Sequence, residues 1–421
     1  MTSTAAVEAV IAETHRREWA RVLAVTLRSA RDIELAEECV QEAYAAALQS
    51  WGRDGIPRNP AAWLTTTARR RAIDAIRKDA TARSRLPLLV EELVEEEAAM
   101  PDTDTEYLDP ADVIPDERLR LIFTCCHPAL AQEGQVALTL RLVCGVTTAH
   151  IARAFLVSEP TVAARITRAK RKISSARIPY RMPRPADLPA RLRAVLAVIH
   201  LLFAAGHTAP SGPALVDAGL VDQALHLARM LRELLPDDRE VRGLLALLLV
   251  TDARRATRTD ADGRLVRLPD QDRSRWDQAA LAEAHDLIVA SLTAGPPGRY
   301  VLQAAIASLY AEAPSYDQTD FPQIVVLYDR LLEVWPSPVV ALNRAVPLAM
   351  VRGPEAALAE VDRLEQDGRL AGYQYLSAVK ADLLRRAGRD TEAEQAYRQA
   401  LAATANEAER VFLAEQVADY E

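Results

Sequence analysis

Between His150 and Ile173 the chain reads HIARAFLVSEPTVAARITRAKRKI, with six Lys or Arg and a single acid, Glu159. Cations at this density suit phosphate binding. Arg165 and Arg168 are of the type that grips phosphates or reads guanine edges. Lys170, Arg171 and Lys172 suit phosphate contacts, which position a protein without reading sequence. A second set lies upstream, where Trp63 precedes Arg69, Arg70, Arg71, Arg77 and Lys78. An exposed aromatic beside a basic helix is what single-stranded DNA binding uses, because bases stack on the ring while cations neutralise the backbone. Alone, a Trp near arginines is more often a core residue. A third candidate is CCHP, Cys125 to Pro128. A structural zinc site needs four ligands at suitable spacing, and no second cluster follows. Burial of small cysteines in the core is the favoured reading.

Positioning the first set requires a helical hairpin. Thr147 or Thr148 caps a first helix whose inner side carries Ile151, Ala152 and Phe155. Ala152 is small enough to let a second helix approach. Leu156 and Val157 make the turn, at a place where Gly is common because positive φ is wanted. Ser158 is a good N-cap, Glu159 suits the positive end of the helix dipole, and Pro160 is tolerated in the first turn. Val162 and Ile166 then face inward, leaving Thr161, Ala163, Ala164, Arg165, Thr167 and Arg168 toward a ligand. Such a second helix fits the major groove of DNA.

The second set needs two helices. In DIELAEECVQEAYAAAL, Asp32 to Leu48, the residues Ala36, Val40, Ala43, Tyr44 and Ala47 share one face. Glu37, Glu38, Gln41 and Glu42 fall on another. After GRDGIPRNP comes AAWLTTTARRRAIDAIRK, Ala61 to Lys78, which carries Trp63 and the arginines.

Charge is segregated along the chain. The 421 residues sum to a formal charge of -8. Twelve acids and no base lie between Glu91 and Glu117, punctuated by Pro101, Pro110 and Pro115, which reads as a flexible acidic linker. From Arg118 to Pro185 twelve Lys and Arg face only Glu133 and Glu159. Aromatics are 5% and half the residues are hydrophobic, so Ala and Leu packing favours helices. The apolar run Ala194 to Ala205 falls short of the roughly 20 residues a membrane span needs, and no secretory signal is visible. Four cysteines do not make a disulfide framework in a chain this size, and a reduced cytoplasm is the expected compartment.

Three motifs together resemble a known family. DIELAEECVQEAY and AWLTTTARRRAIDAIR resemble region 2 of bacterial extracytoplasmic-function sigma factors, of the sigma-70 superfamily, and PTVAARITRAKRKI resembles their region 4. The resemblance covers roughly residues 10 to 180 and implies a sigma region 2 over 8–85, an acidic linker over 86–114 and a region 4 helix-turn-helix over 115–180. It implies that Glu37, Gln41 and Glu42 lie on the helix that docks on RNA polymerase. It places Trp63, Arg69, Arg70, Arg71 and Arg77 at the -10 element, and the loop Gly52 to Asn59 where an unpaired base is captured. Thr161, Ala163, Ala164, Arg165, Thr167, Arg168, Arg171 and Lys172 fall at the -35 element. Arg70 stands where the family usually has Asn, and Ala163 and Ala164 replace polar residues, so the resemblance carries no base preference.

From Leu188 onward the pattern is helix after helix. Ala381, Leu384, Ala393, Tyr397 and Ala400 match Ala345, Leu348, Ala357, Val361 and Leu364 at one constant offset, with Gly353 one place late relative to Gly388. This fits tetratricopeptide-like pairs of roughly 34 residues, and a plain Ala/Leu-rich helical domain is the alternative. The layout resembles the sigma-factor subgroup with such a C-terminal extension, here 188–421, which in that subgroup is thought to regulate the sigma portion. Asp252, Arg254, Arg255, Asp260, Asp262, Asp270, Asp272, Arg273 and Trp276 form a polar cluster between helices. It is either a ligand or contact site or a salt-bridged loop clasping neighbouring helices.

The expected fold is all-α: two small helical sigma domains followed by a tetratricopeptide-like superhelix. The expected function is promoter-directed initiation with core RNA polymerase and promoter DNA as partners. A protein or small molecule would act on the C-terminal domain, and no membrane is involved. No Gly-rich phosphate loop, zinc-protease helix or nucleophile elbow is present, so neither catalysis, cofactor nor metal is expected. The competing readings are a helix-turn-helix regulator with a repeat-based interaction domain and a peptide-binding scaffold.

Overall fold

In the computed structural model the chain is all-α: 76% is helical, and no strand forms among the described residues. Those are residues 4–85, 117–155, 157–176, 178, 180–181 and 183–420. The acidic linker over 86–114 and the turn residue Leu156 lie outside them. The chain divides into two units, residues 1–153 with 157–198, and residues 199–421 with 154–156. The division falls within one helix, later than the boundary at 188 expected from sequence.

The first unit begins with α1 (Thr4–Ala30), α2 (Ile33–Asp54) and α3 (Pro60–Arg85), each packed on the other two. Their contact faces are built from small and branched residues: Val22, Leu23 and Leu27 on α1, Ala36, Val40, Ala43 and Ala47 on α2, and Leu64, Ala68 and Ala72 on α3. The i, i+4 spacing of the alanines gives each helix a narrow inner stripe that lets the axes approach. Arg31 takes φ 54 between α1 and α2, and Asp32 caps α2 by accepting from Leu35 N at 2.8 Å. The helix runs on to Asp54, so the loop expected over Gly52 to Asn59 is shorter, from Gly55 (φ 87) to Asn59. Asn59 accepts from Ala62 N at 3.0 Å, which starts α3.

The unit continues with α4 (Glu117–Cys125), α5 (Gln132–Leu138), a π-helical turn (Thr139–Val143), α6 (Thr148–Ala154) and α7 (Glu159–Ser175). Leu121, Ile122, Phe123, Leu138, Leu140 and Leu142 form its core, together with Cys125, Cys126 and Cys144. Burial pushes the thiols of Cys126 and Cys144 up to about 12 and that of Cys125 well above its ordinary value. The Cys126 sulfur sits 3.4 Å from Thr139 Oγ1. These cysteines pack as small apolar residues.

α8 (Leu188–His207) crosses the division between the units. It is long and apolar enough to cross a membrane by length and composition alone, longer than the run read from sequence because the turns bearing Arg191 and Arg193 are helical too. Its Val195, Leu196, Val198, Ile199, Leu202 and Phe203 are buried inside the protein.

The second unit adds α9 (Ala218–Leu234), α10 (Arg239–Asp252), α11 (Gln278–Thr293), α12 (Arg299–Glu312), α13 (Phe321–Val334), α14 (Pro338–Arg352), α15 (Pro354–Asp367), α16 (Gln374–Arg386), α17 (Asp390–Ala403) and α18 (Glu407–Ala418). Each packs on its neighbour in sequence. The matched positions Ala345, Ala357 and Val361 share one core cluster with Ala381, Leu384, Ala393, Tyr397 and Ala400. The glycine slip has a local cause. Gly353 (φ 84) is at once the C-cap of α14 and the N-cap of α15, because Pro354 opens the next helix immediately. Between α16 and α17 three residues intervene, Ala387, Gly388 (φ 72) and Arg389.

Candidate nucleic-acid interface

α7 is organised by its cap and its inner stripe. Ser158 Oγ accepts from Thr161 N at 3.3 Å and lies 2.8 Å from Thr161 Oγ1. Glu159 and Pro160 occupy the first turn. Val162, Ile166, Ala169 and Ile173 are buried at helical spacing. α5 packs against this side, so closely that a Cβ on Gly134 would stand 3.3 Å from Ala169 Cβ. On the opposite side Ala163, Ala164, Thr167, Arg168, Arg171 and Lys172 are exposed, while Thr161 and Arg165 are half-buried. Arg165, Arg168 and Lys172 border an open depression of about 400 Å³ with Leu130, Glu133 and Gly134. Two exposed alanines between basic side chains leave room for a groove wall, and the cations around them match phosphate.

Lys170 departs from the expected phosphate role. It follows Ala169 and stands four residues after Ile166, at the margin of the inner stripe, and its Nζ donates to Glu37 Oε2 at 2.8 Å. Glu37 in turn is not on an open polar face. It is buried, and its Oε1 also accepts from Arg141 Nε at 2.8 Å and Gln41 Nε2 at 3.1 Å. Arg141 is carried by the π-helical turn. A buried carboxylate is tolerable when its lone pairs are filled by cations in this way.

The same joint has an aromatic half. Trp19 Nε1 donates to Leu142 O at 3.0 Å, and His15, Trp19 and Tyr44 pack ring against ring. Gly145 (φ 68) lies beneath them, and a Cβ there would stand 2.7 Å from His15. Tyr180 donates its hydroxyl proton to Ala24 O at 3.2 Å. Burial first, and then the Arg141 charge, lower the His15 pKa, so the ring is neutral near pH 7. His15, Trp19 and Arg141 were not singled out from the sequence. Their partners lie more than a hundred residues away, and no local spacing announces them.

On α3, Arg69, Arg70, Arg77 and Lys78 are exposed. Among the described residues no carboxylate pairs with Arg69 or Arg70. Arg71 is half-buried and bound to Glu42 of α2. Trp63 is half-buried rather than exposed, edge-on to buried Trp51 at 5.4 Å. Gln41 and Glu42 are exposed beside buried Glu37. The first unit therefore presents two basic helical surfaces, one on α3 and one on α7, joined through a buried ion-pair cluster.

Comparison with known proteins gives these segments a family. Sigma-70 region 2 matches residues 14–81, and sigma-70 region 4 matches residues 120–173. A family of unknown function, DUF6596, matches residues 191–292. The uncharacterized protein R00370 of Rhizobium meliloti is 42% identical over 399 residues, covering 94% of this chain and 92% of its own length. The ECF RNA polymerase sigma factor SigK of Mycobacterium tuberculosis is 28% identical over 170 residues, 39% of this chain and 84% of its own. SigK of Mycobacterium sp. strain KMS is 27% identical over 151 residues, 36% and 74% respectively. No solved structure matches the chain.

Proposed function

The chain belongs to the extracytoplasmic-function sigma-70 family and carries a C-terminal helical extension, and from that premise we propose that it binds core RNA polymerase in the cytoplasm, directs it to promoters through -35 and -10 contacts, and is regulated by its extension. The observation that carries this reading is the pair of exposed basic surfaces, one on each family-matched region. In this reading Ala163, Ala164, Thr167 and Arg168 face base edges at -35, with Arg171 and Lys172 on phosphates and Thr161 and Arg165 at the margin. Arg69, Arg70 and Arg77 hold the -10 strand. Trp63 stacks with the face that Trp51 leaves uncovered, and Arg71 acts by fixing Glu42.

Gln41 and Glu42 are the exposed members of the polymerase-binding trio. Glu37 takes part only by leaving Arg141 and Lys170, so docking on polymerase exchanges one set of cations for another. The extension (188–421) is a tetratricopeptide-like stack in this reading, and a protein or small molecule acts on it.

In vitro transcription with purified core polymerase and genomic fragments tests the proposal. Initiation that depends on the full chain, and falls in Arg69→Ala/Arg70→Ala, is the expected result. If the chain neither binds core polymerase nor supports initiation, the alternative of a helix-turn-helix regulator takes its place. Regulation is tested with Gly243→Leu. A Cβ there would stand 2.6 Å from Val301 N between α10 and α12, so the second unit unpacks. Unchanged initiation by that variant would refute a regulatory role for the extension.

A further inference from the structure

The polar cluster around α10 resolves into clasps and one remainder. Arg255 Nε donates to Asp252 at 2.7 Å, and its Nη2 donates to Asp222 at 2.8 Å. Arg258 donates to His207 O and, at 3.0 Å, to Thr208 Oγ1. Arg273 Nη1 donates to Tyr310 O at 2.7 Å and Ala313 O at 2.8 Å, and its guanidinium stands 4.7 Å over Trp276. Trp276 Nε1 donates to Thr257 Oγ1 at 2.9 Å. These bonds fasten the loop to the helices around it.

Arg254 is the remainder. Its neighbour Arg255 takes Asp252 and Asp222, Arg267 takes Asp270, and Asp260 and Asp272 accept from the loop's backbone and Ser274. Among the described residues nothing accepts a hydrogen bond from the Arg254 side chain or pairs with its charge. Arg254 is half-buried, and desolvation, with the nearby Arg273 charge, lowers its pKa. It lines a cavity of about 310 Å³ with Trp276, Ile306, Tyr310, Tyr328 and Leu331. The phenols of Tyr310 and Tyr328 have no hydrogen-bond partner among the described residues either, and burial raises both pKa values. Both phenols are therefore neutral donors at pH 7. Desolvating a cation without a counter-ion is costly, and charges withdrawn from water in proteins are as a rule paired. The volume is at the lower end of small-molecule pockets, and beside its aromatic and aliphatic residues the wall carries the polar side chains of Thr251, Gln303 and Asn343.

We propose that this cavity binds a small monocarboxylate with an apolar body about the size of one aromatic ring, its carboxylate paired with Arg254 and its body held between Trp276 and the aliphatic wall. A guanidinium fork matches a carboxylate, and two phenol donors complete an anion's lone pairs. The site lies wholly in the second unit and does not rest on the sigma reading, so ligand binding and initiation fail or succeed separately.

The test is titration calorimetry on the full chain at constant ionic strength with benzoate, phenylacetate and hexanoate. Benzamide and inorganic phosphate serve as controls. At least one acid is expected to bind saturably with one site per chain, and benzamide and phosphate to be silent. Arg254→Met, which keeps the stem and removes the charge, is expected to weaken binding about tenfold or more. Tyr328→Phe keeps the ring and is expected to weaken it about threefold, which holds the proposal to account if Arg254→Met does not fold. No saturable binding by any acid up to about 10 mM, where even a millimolar Kd would register, overturns the proposal. So does binding undiminished in both variants or equal binding of phosphate.

Discussion

Each unit of this chain buries a charge, and the two sites are opposites. In the first unit Glu37 is a buried anion with two cations and an amide on its oxygens. In the second, Arg254 is a half-buried, desolvated cation with no anion paired to it among the described residues. A satisfied buried charge is a fastener, whose loss exposes its partners' unmet need. An unsatisfied one contributes nothing to holding the fold until a ligand arrives, so removing it should relieve the apo protein. The sign of a neutralising substitution therefore separates the two kinds of site.

The largest expected effect follows from the first. Glu37→Leu leaves Arg141 and Lys170 facing each other without a counter-ion. Losing one partner of a fully buried pair costs 3–5 kcal/mol as an order of magnitude. Here the Arg141 and Lys170 side chains keep 22% and 14% exposure, so solvent offsets part of that, and a loss of about 2 kcal/mol is expected. Urea unfolding followed by the intrinsic fluorescence of the five tryptophans, three of them in the first unit, reads it. A change under about half a kcal/mol would mean that the cluster is not a fastener.

Acid should weaken the second unit next. Burial depresses His200 to about 4 and His207 to about 2, with Arg299 adding to the first and Arg258, Arg254 and Arg255 to the second. The unfolded chain takes up these protons near pH 6.5 and the folded chain does not, so stability is present above pH 6.5 and falls as pH drops toward the folded values. Each histidine then contributes a slope on the order of 1 kcal/mol per pH unit below 6.5. His207→Phe, whose ring can keep the stack on Phe203, should flatten the acid limb of the thermal midpoint by about half. An acid limb unchanged by that variant would place the lability elsewhere.

The opposite sign belongs to Arg254→Met. Without ligand it should leave the second unit as stable as before or more stable by about 1 kcal/mol. A loss of stability as large as that of Glu37→Leu would show that Arg254 is a fastener too, and the contrast between the two sites would disappear.

How much of this was legible before the fold follows the range of the interactions. The Ser158 cap, the Val162 and Ile166 stripe and the Ala36-to-Ala47 face are set by residues within a few positions of one another, and all stand as read. Glu37 was different. It sits three residues before Val40 and seven before Tyr44, which is the buried side by spacing, but its side chain type argued for the solvent face. The cations that reverse that preference come from positions 141 and 170, and one sequence does not reveal such pairings. Trp63 went the same way, half-covered by a Trp51 that the expected loop boundary had nearly placed outside the helix. The cavity draws Arg254 and Trp276 from the two ends of the α10–α11 connection, Tyr310 from α12 and Tyr328 from α13, so the polar cluster was visible as composition while the division between clasps and remainder was not.

The smallest effect sharpens the contrast within a single helix. Arg168 and Lys170 are two residues apart on α7, both cationic, and equivalent by composition. Arg168 is exposed on the outer side, and Lys170 is fixed on Glu37. A phosphate contact releases a counter-ion, so its removal lowers the slope of log K against log salt by about 1 and weakens binding to all sequences alike. Arg168→Ala should do this in a filter-binding or anisotropy titration on duplex DNA, while Lys170→Ala should leave the slope within error and instead lower the unfolding midpoint. Equal changes of slope for the two would mean that Lys170 leaves Glu37 when DNA binds, and that the buried cluster opens on the same event that engages the promoter.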